Sequence, residues 1–144
     1  MQHDVTIVDL QPKHLAQVES WATSQNATKT LLKQPVTPLS PSSDMQGWAA
    51  TQDNEVLAIA TVKLNEEHVG YLECMVKPSA RRQGIGSQLV EYVLHQPSVE
   101  ILTHLHATVD RTNIAAQKTL DDKGFSRTGY SADGHIEFAR HKSQ

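Results

Sequence analysis

Apolar residues recur along this chain at two spacings, one suited to strands and one to helices. Val5 and Ile7, followed by Asp9, alternate and predict a short first strand. Pro12 then opens a helix, because its fixed φ suits a first helical turn, and Leu15, Val18, Trp21 and Ala22 follow at helical spacing. Residues 30–44, TLLKQPVTPLSPSSD, lose both periods, and the prolines at 35, 38 and 41 among Ser and Thr predict an irregular surface excursion. Three strands follow, GWAATQ, VLAIATVKL and HVGYLECMV, with Asp53-Asn54 as a turn between the first two and Asn65 before the third. They read as an antiparallel meander.

The helical period returns from about Gly84 to Gln96, where Ile85, Leu89, Val90, Val93 and Leu94 form one apolar stripe that stops at Pro97. In ILTHLHATV, Ile101, Thr103, Leu105, Ala107 and Val109 alternate with Leu102, His104, His106 and Thr108, which predicts a strand inside the sheet. Asn113 is suited to cap a helix running to Lys123, with Gly124 able to turn left-handed at its end and Phe125 to fold back on it. Two short strands complete the chain. The alternation of element types is that of a mixed α/β protein.

A length of 144 residues suits one domain over residues 1–144, and 38% hydrophobic with 20% charged residues fits a globular protein. The net charge of −3 gives no general attraction to nucleic acid or to an anionic membrane. Cys74 is the only cysteine, so no internal disulfide forms. Met1-Gln2-His3-Asp4 does not begin a signal peptide, and the longest apolar run, Val56 to Val62, is too short to span a bilayer, so a cytoplasmic location is expected. The excursion contains a PxxP spacing that could meet an SH3-like partner, although so short a motif is weak and a solvated loop is much the better explanation.

The most informative stretch is Arg81-Arg82-Gln83-Gly84-Ile85-Gly86-Ser87, between a strand and an amphipathic helix. A diphosphate needs converging backbone N–H groups, glycines that let the backbone approach, and a helix N-terminus whose dipole favours negative charge. Arginines add charge-assisted contacts to phosphate oxygens. There is no GxxxxGK[ST] for a P-loop and no third glycine for a dinucleotide fold. The GxG spacing alone is also that of an ordinary strand-to-helix turn.

Val76-Lys77-Pro78 with Arg81-Arg82-Gln83-Gly84-Ile85-Gly86 resembles the GNAT signature V-x-P-x-x-[RQ]-x-x-G-x-[GA]. Downstream, Asn113, Ala116, Leu120, Lys123, Gly124 and Phe125 resemble that family's N-x-x-[AS]-x-x-x-[YL]-x-x-x-G-F segment. The motif-specific part covers residues 72 to 125, and the first fifty residues carry none of it. The resemblance implies an α/β (α+β) GNAT fold with a mixed sheet of six or seven strands and about four helices, strands four and five being splayed to admit the cofactor. It implies acetyl-CoA as co-substrate, held by Arg81, Arg82, Gln83, Gly84, Ile85, Gly86 and Ser87 at its pyrophosphate. Cys74, Met75 and Val76 would pair with the pantetheine amides through their backbone, and Asn113 would lie near that arm. Homodimers are common in the family.

The family's frequent general acid is a tyrosine at the position of Leu120, so this chain lacks it. The implied reaction is direct attack by a neutral amine on the thioester, for which a base need only remove one proton. Glu73, on the strand expected closest to the thioester, is the first candidate for base or amine-orienting group, against the alternative of a solvated strand carboxylate. His104 and His106 share a face, and either could act as base, since imidazole titrates near neutrality. Their His-x-His spacing also suits a metal, but the sequence places no third ligand, so none is expected. Cys74 could carry an acyl group, or be a small core residue. Tyr71 and Tyr130 are alternative proton donors, Tyr130 with the better claim if the last strands line the acceptor side.

These readings lead to transfer of acetyl from acetyl-CoA to a primary amine of a small molecule or a protein. A narrow pocket lined by Trp21, Trp48 or residues 30–44 would favour a small amine. Leu120 keeps open a non-catalytic acyl-CoA-binding module.

Overall fold

A computed structural model describes residues 5–22, 45–66, 68–80 and 84–141. The 30–44 excursion, the Trp21 side chain and Arg81, Arg82 and Gln83 lie outside the described residues. The elements are β1 (Thr6–Asp9), α1 (Pro12–Ala22), β2 (Met45–Gln52), β3 (Glu55–Glu66), β4 (Val69–Val76), a 3-10 turn (Pro78–Ala80), α2 (Ile85–Leu94), α3 (Pro97–Glu100), β5 (His104–Asp110), α4 (Ile114–Asp122), β6 (Ser126–Tyr130) and β7 (His135–His141). The strands form one seven-stranded sheet in the order β1-β2-β3-β4-β5-β7-β6. Among the described residues, this is the mixed α/β sheet with four α-helices that the GNAT resemblance implied.

β1 to β4 are an antiparallel meander. Asp53 (φ 52) and Asn54 (φ 66) turn β2 into β3 in the left-handed conformation that two-residue hairpin loops require. β4 and β5 run parallel, joined by a crossover through α2, as a parallel pair demands. The two faces of the sheet are covered by different helices. Leu72, Ala60 and Leu105 pack with α2 residues Leu89, Val90 and Val93 and with Leu120 and Phe125. On the opposite face, Val18 of α1 packs with Leu10, Ala49, Val56 and Ile59. Gln17 straps α1 down: its Oε1 accepts the Val56 N–H at 2.9 Å and its Nε2 donates to the Asn54 carbonyl at 3.3 Å.

The α2 stripe is buried at the expected residues, Ile85, Leu89, Val90, Val93 and Leu94. Asn113 caps α4 by accepting the Ala116 N–H at 3.1 Å, Gly124 (φ 91) follows the helix, and the Phe125 N–H returns to the Leu120 carbonyl at 3.0 Å. One boundary differs from the sequence reading. Pro97 does not merely stop α2; it opens α3, because proline's fixed φ suits a first helical turn as well as it prevents continuation. Ile101 therefore leaves the strand, lies 62% exposed, and Leu102 takes the buried position. Alternation begins only at His104. Among the described residues, no helix is long and apolar enough to cross a membrane.

Candidate active site

The parallel pairing of β4 with β5 runs from Val69↔His104 to Leu72↔Ala107 and stops. Beyond it, Glu73, Cys74, Met75 and Val76 keep partners only on β3, namely Thr61, Ala60, Ile59 and Ala58. Thr108, Val109 and Asp110 likewise keep partners only on β7. The two strands thus part into a slit at their carboxyl ends, where the sheet changes from antiparallel to parallel. Crevices of this kind are where open α/β sheets bind ligands.

The N-terminus of α2 stands beyond the end of β4 in the chain. Gly84 precedes it with φ 76 and ψ 8 and no side-chain cap, a conformation that L-residues with a Cβ adopt at a cost. The first intrahelical bond described is from Gln88 N–H to the Gly84 carbonyl at 3.0 Å. The N–H groups of Ile85, Gly86 and Ser87 consequently have no partner within the helix, which is the arrangement of donors that an anion would need. Gly86 sits close to the strand, since a Cβ there would come within 3.0 Å of Val76 Cγ2. A side chain at residue 86 would push the helix away from β4. This donor set and the free strand edge fit a diphosphate followed by an amide-bearing arm.

Across the slit, the turn from β5 into α4 is held rigidly. Asp110 Oδ1 accepts from the Thr112 N–H at 2.8 Å and from its hydroxyl at 2.6 Å, and these bonds hold the carboxyl below its usual range. Gln117, only 5% exposed, donates from Nε2 to the Arg111 carbonyl at 2.8 Å. Asn113 is fixed between these ties, with its side-chain NH2 free of partners among the described residues. Sequence reasoning missed Gln117. Its position four residues after the cap, on the same helix face, is the signal that could have identified it.

Strand alternation puts Leu72, Cys74 and Val76 toward α2, and Tyr71, Glu73 and Met75 toward the α1 side. Glu73 is half-buried, and burial raises its carboxyl above the ordinary value while the Lys63 charge opposes that shift. It is therefore not a freely solvated carboxylate. His106 stands opposite Tyr71 in register, one pair before the slit opens, with its ring stacked at 5.0 Å between centroids. Glu73, Tyr71 and His106 are thus brought to one face. Tyr130 is not: it ends edge strand β6, is 75% exposed, and pairs with Ile136, whose side chain packs into the α2-side core. Cys74 packs against the core, where burial pushes its thiol up to about 12, which withholds the thiolate needed for nucleophilic attack. Trp48 is 4% exposed and packs within the α2-side core. Leu120, at the place of the family's acid, is equally buried. Among the described residues, no group of three His, Cys, Asp or Glu could hold a metal ion.

A sheet opened between its fourth and fifth strands, before a glycine-bounded helix N-terminus, defines the GNAT class of acyltransferase. The Acetyltransferase (GNAT) family model matches residues 15–125, and the chain belongs to that family. Among solved structures, the ribosomal-protein-S18-alanine N-acetyltransferase from Escherichia coli is 20% identical with a TM-score of 0.73, over 98% of this chain and 96% of that one. A GNAT-family acetyltransferase from Streptococcus pneumoniae is 18% identical with a TM-score of 0.70, over 96% and 100%. A spermidine N-acetyltransferase SpeG chimera from Vibrio cholerae and hSSAT is 10% identical with a TM-score of 0.70, over 95% of each chain. These likenesses are of fold. By sequence, no curated protein matches the chain.

Proposed function

We propose that this protein moves the acetyl group of acetyl-CoA directly to a primary amine, of a small molecule or a protein, within one catalytic domain in the cytoplasm. The observation that carries this reading is the parting of β4 from β5 beyond Leu72 and Ala107, before a first turn of α2 whose N–H groups have no partner within the helix. When bound, acetyl-CoA supplies an activated acyl carbon and a thiolate leaving group. The amides of Ile85, Gly86 and Ser87, with Gly84 allowing their approach and Arg81, Arg82 and Gln83 adding polar contacts, hold the diphosphate. The free edge of Cys74, Met75 and Val76 pairs with the amides of the pantetheine arm as an added strand would, and Asn113 faces that arm across the slit.

Glu73 orients the acceptor and takes its ammonium proton, directly or through water. Its raised carboxyl is supported in that role because a base works best with a pKa near the working pH. His106 is the alternative base on the same face. Tyr130 serves as a proton donor only if the acceptor reaches the edge of the sheet. Thiolate leaves readily, so the absence of a tyrosine at Leu120 does not prevent turnover, and the reading requires no metal. The relatives' names, one carrying an alanine of a ribosomal protein and one spermidine, support amine as the acceptor class.

Leu120 also supports a second reading, a module that binds acyl-CoA without turnover. Calorimetric titration with acetyl-CoA, beside a variant carrying Arg82→Ala and Gly84→Glu, tests the site common to both. The expected result is micromolar binding that the variant loses, and no binding by folded wild type would overturn both readings. Release of free thiol with an amine present then separates enzyme from module.

A further inference from the structure

The α1-side face of the sheet carries a row of rings whose stacking the transfer chemistry does not require. Tyr71 and His106 stack with 22° between planes, His104 lies nearly parallel to His106 at 6.4 Å, and His141 meets His104 edge-on at 4.4 Å. Their chain neighbours Leu72, Leu105 and Ala107 pack into the core on the other face, so these rings are directed away from it. Tyr71 remains 42% exposed and His141 is exposed. Lys63 stands opposite Tyr71 on β3, and Glu73 follows Tyr71 by two residues on the same face. At a strand rise of about 3.4 Å per residue, the Cα atoms of Glu73 and Tyr71 are about 7 Å apart along β4, which sets the spacing of their side chains on that face.

We propose that Tyr71 and His106 form a stacking platform for an aromatic ring of the acceptor, which makes the acceptor a small arylalkylamine. This rests on the transferase reading above. With the amine at Glu73, a link of two or three carbons plus half a ring covers the distance to the platform. The stack begins one register pair before the slit opens, so a ring seated there leaves its amine facing the acyl position. An aliphatic group of equal bulk would bury similar area but lacks the quadrupole that orients one ring on another.

The test compares 2-phenylethylamine with 2-cyclohexylethylamine, in kcat/KM with acetyl-CoA and in equilibrium binding to protein saturated with free CoA, where no transfer occurs. Wild type should favour the phenyl compound by about tenfold, carried by KM, and by a similar ratio in binding. Tyr71→Leu should bring both ratios close to one, and Tyr71→Phe should keep them, which separates lost stacking from a damaged fold. Equal treatment of the two amines by wild type, or a phenyl preference that survives Tyr71→Leu, would overturn the platform and leave the transferase reading standing. If neither amine nor any other is acetylated, the transferase reading falls, and the binding ratio alone decides the platform.

Discussion

Gly84 should be the most revealing single position, because its conformational role can be separated from any steric one. Its φ of 76 lies in the left-handed region, yet among the described residues an added Cβ would meet nothing within 4 Å. Gly84→Ala therefore costs only backbone strain, about 1–2 kcal/mol for an L-residue held left-handed. If residue 84 keeps its conformation, the strain appears as a fall in Tm of about 3–8 °C for a chain of this size. If the loop relaxes instead, Tm is preserved and the first-turn amides of α2 move, so affinity for acetyl-CoA falls. Melting curves and calorimetric titration of the same preparation must register the loss in one of the two. Gly84→Asn, a residue that tolerates left-handed φ, should show a smaller effect. A Gly84→Ala protein with unchanged Tm and unchanged affinity would refute the claim that α2 is entered through a left-handed residue.

Burial lowers the His14 imidazole below its ordinary value of 6.5, with Lys13 adding to the shift, while its Nδ1 accepts the Gln11 N–H at 2.9 Å. Between the folded and unfolded values the unfolded chain binds more protons, so stability should fall as pH drops below about 6.5 and level off under the folded value; urea denaturation at several pH values should show that slope shrinking in His14→Gln. Gln117→Leu should raise the KM for acetyl-CoA more than it lowers kcat, because it frees the Arg111 carbonyl that fixes the Asn113 turn; steady-state kinetics with the CoA substrate varied measures this, and an unchanged KM counts against the tie. Glu73→Gln should lower kcat by about 10²–10⁴-fold and remove the acidic limb of the pH–rate profile, and a retained limb would transfer the base role to His106.

Much of the framework is legible in the residues. The α2 stripe, the Asp53-Asn54 hairpin and the Asn113 to Phe125 helix with both its ends follow from local rules, since each is decided by neighbours within a turn or two. What could not be read depends on contacts distant in sequence. Nothing in Tyr71 or His106 alone announces a stack, because the β4–β5 register that sets them opposite each other is fixed by a crossover through α2. Tyr130 has the chemistry of a proton donor, but the strand order puts β5 and β7 between it and β4. The exit of Ile101 from β5 reflects ambiguous text: Pro97 ends one helix and begins another by the same fixed φ.

The slit also ties ligand binding to folding in a way that can be measured. Among the described residues, the edges of Glu73–Val76 and Thr108–Asp110 that face it have no second strand partner, which leaves backbone groups of the β4 edge for water or a ligand to satisfy. A ligand arm that pairs with the β4 edge binds the folded chain and not the unfolded one. At a hundred times its Kd, such a ligand adds about 2.7 kcal/mol of stability. The gain in protection should be local as well as global. Amide exchange should slow at Glu73 to Val76 and at Ile85 to Ser87, relative to the already paired β2–β3 hairpin, when acetyl-CoA is added. Protection of α2 without β4 would leave diphosphate binding intact and remove strand addition from the account, because only the pairing of the arm demands that both segments respond together.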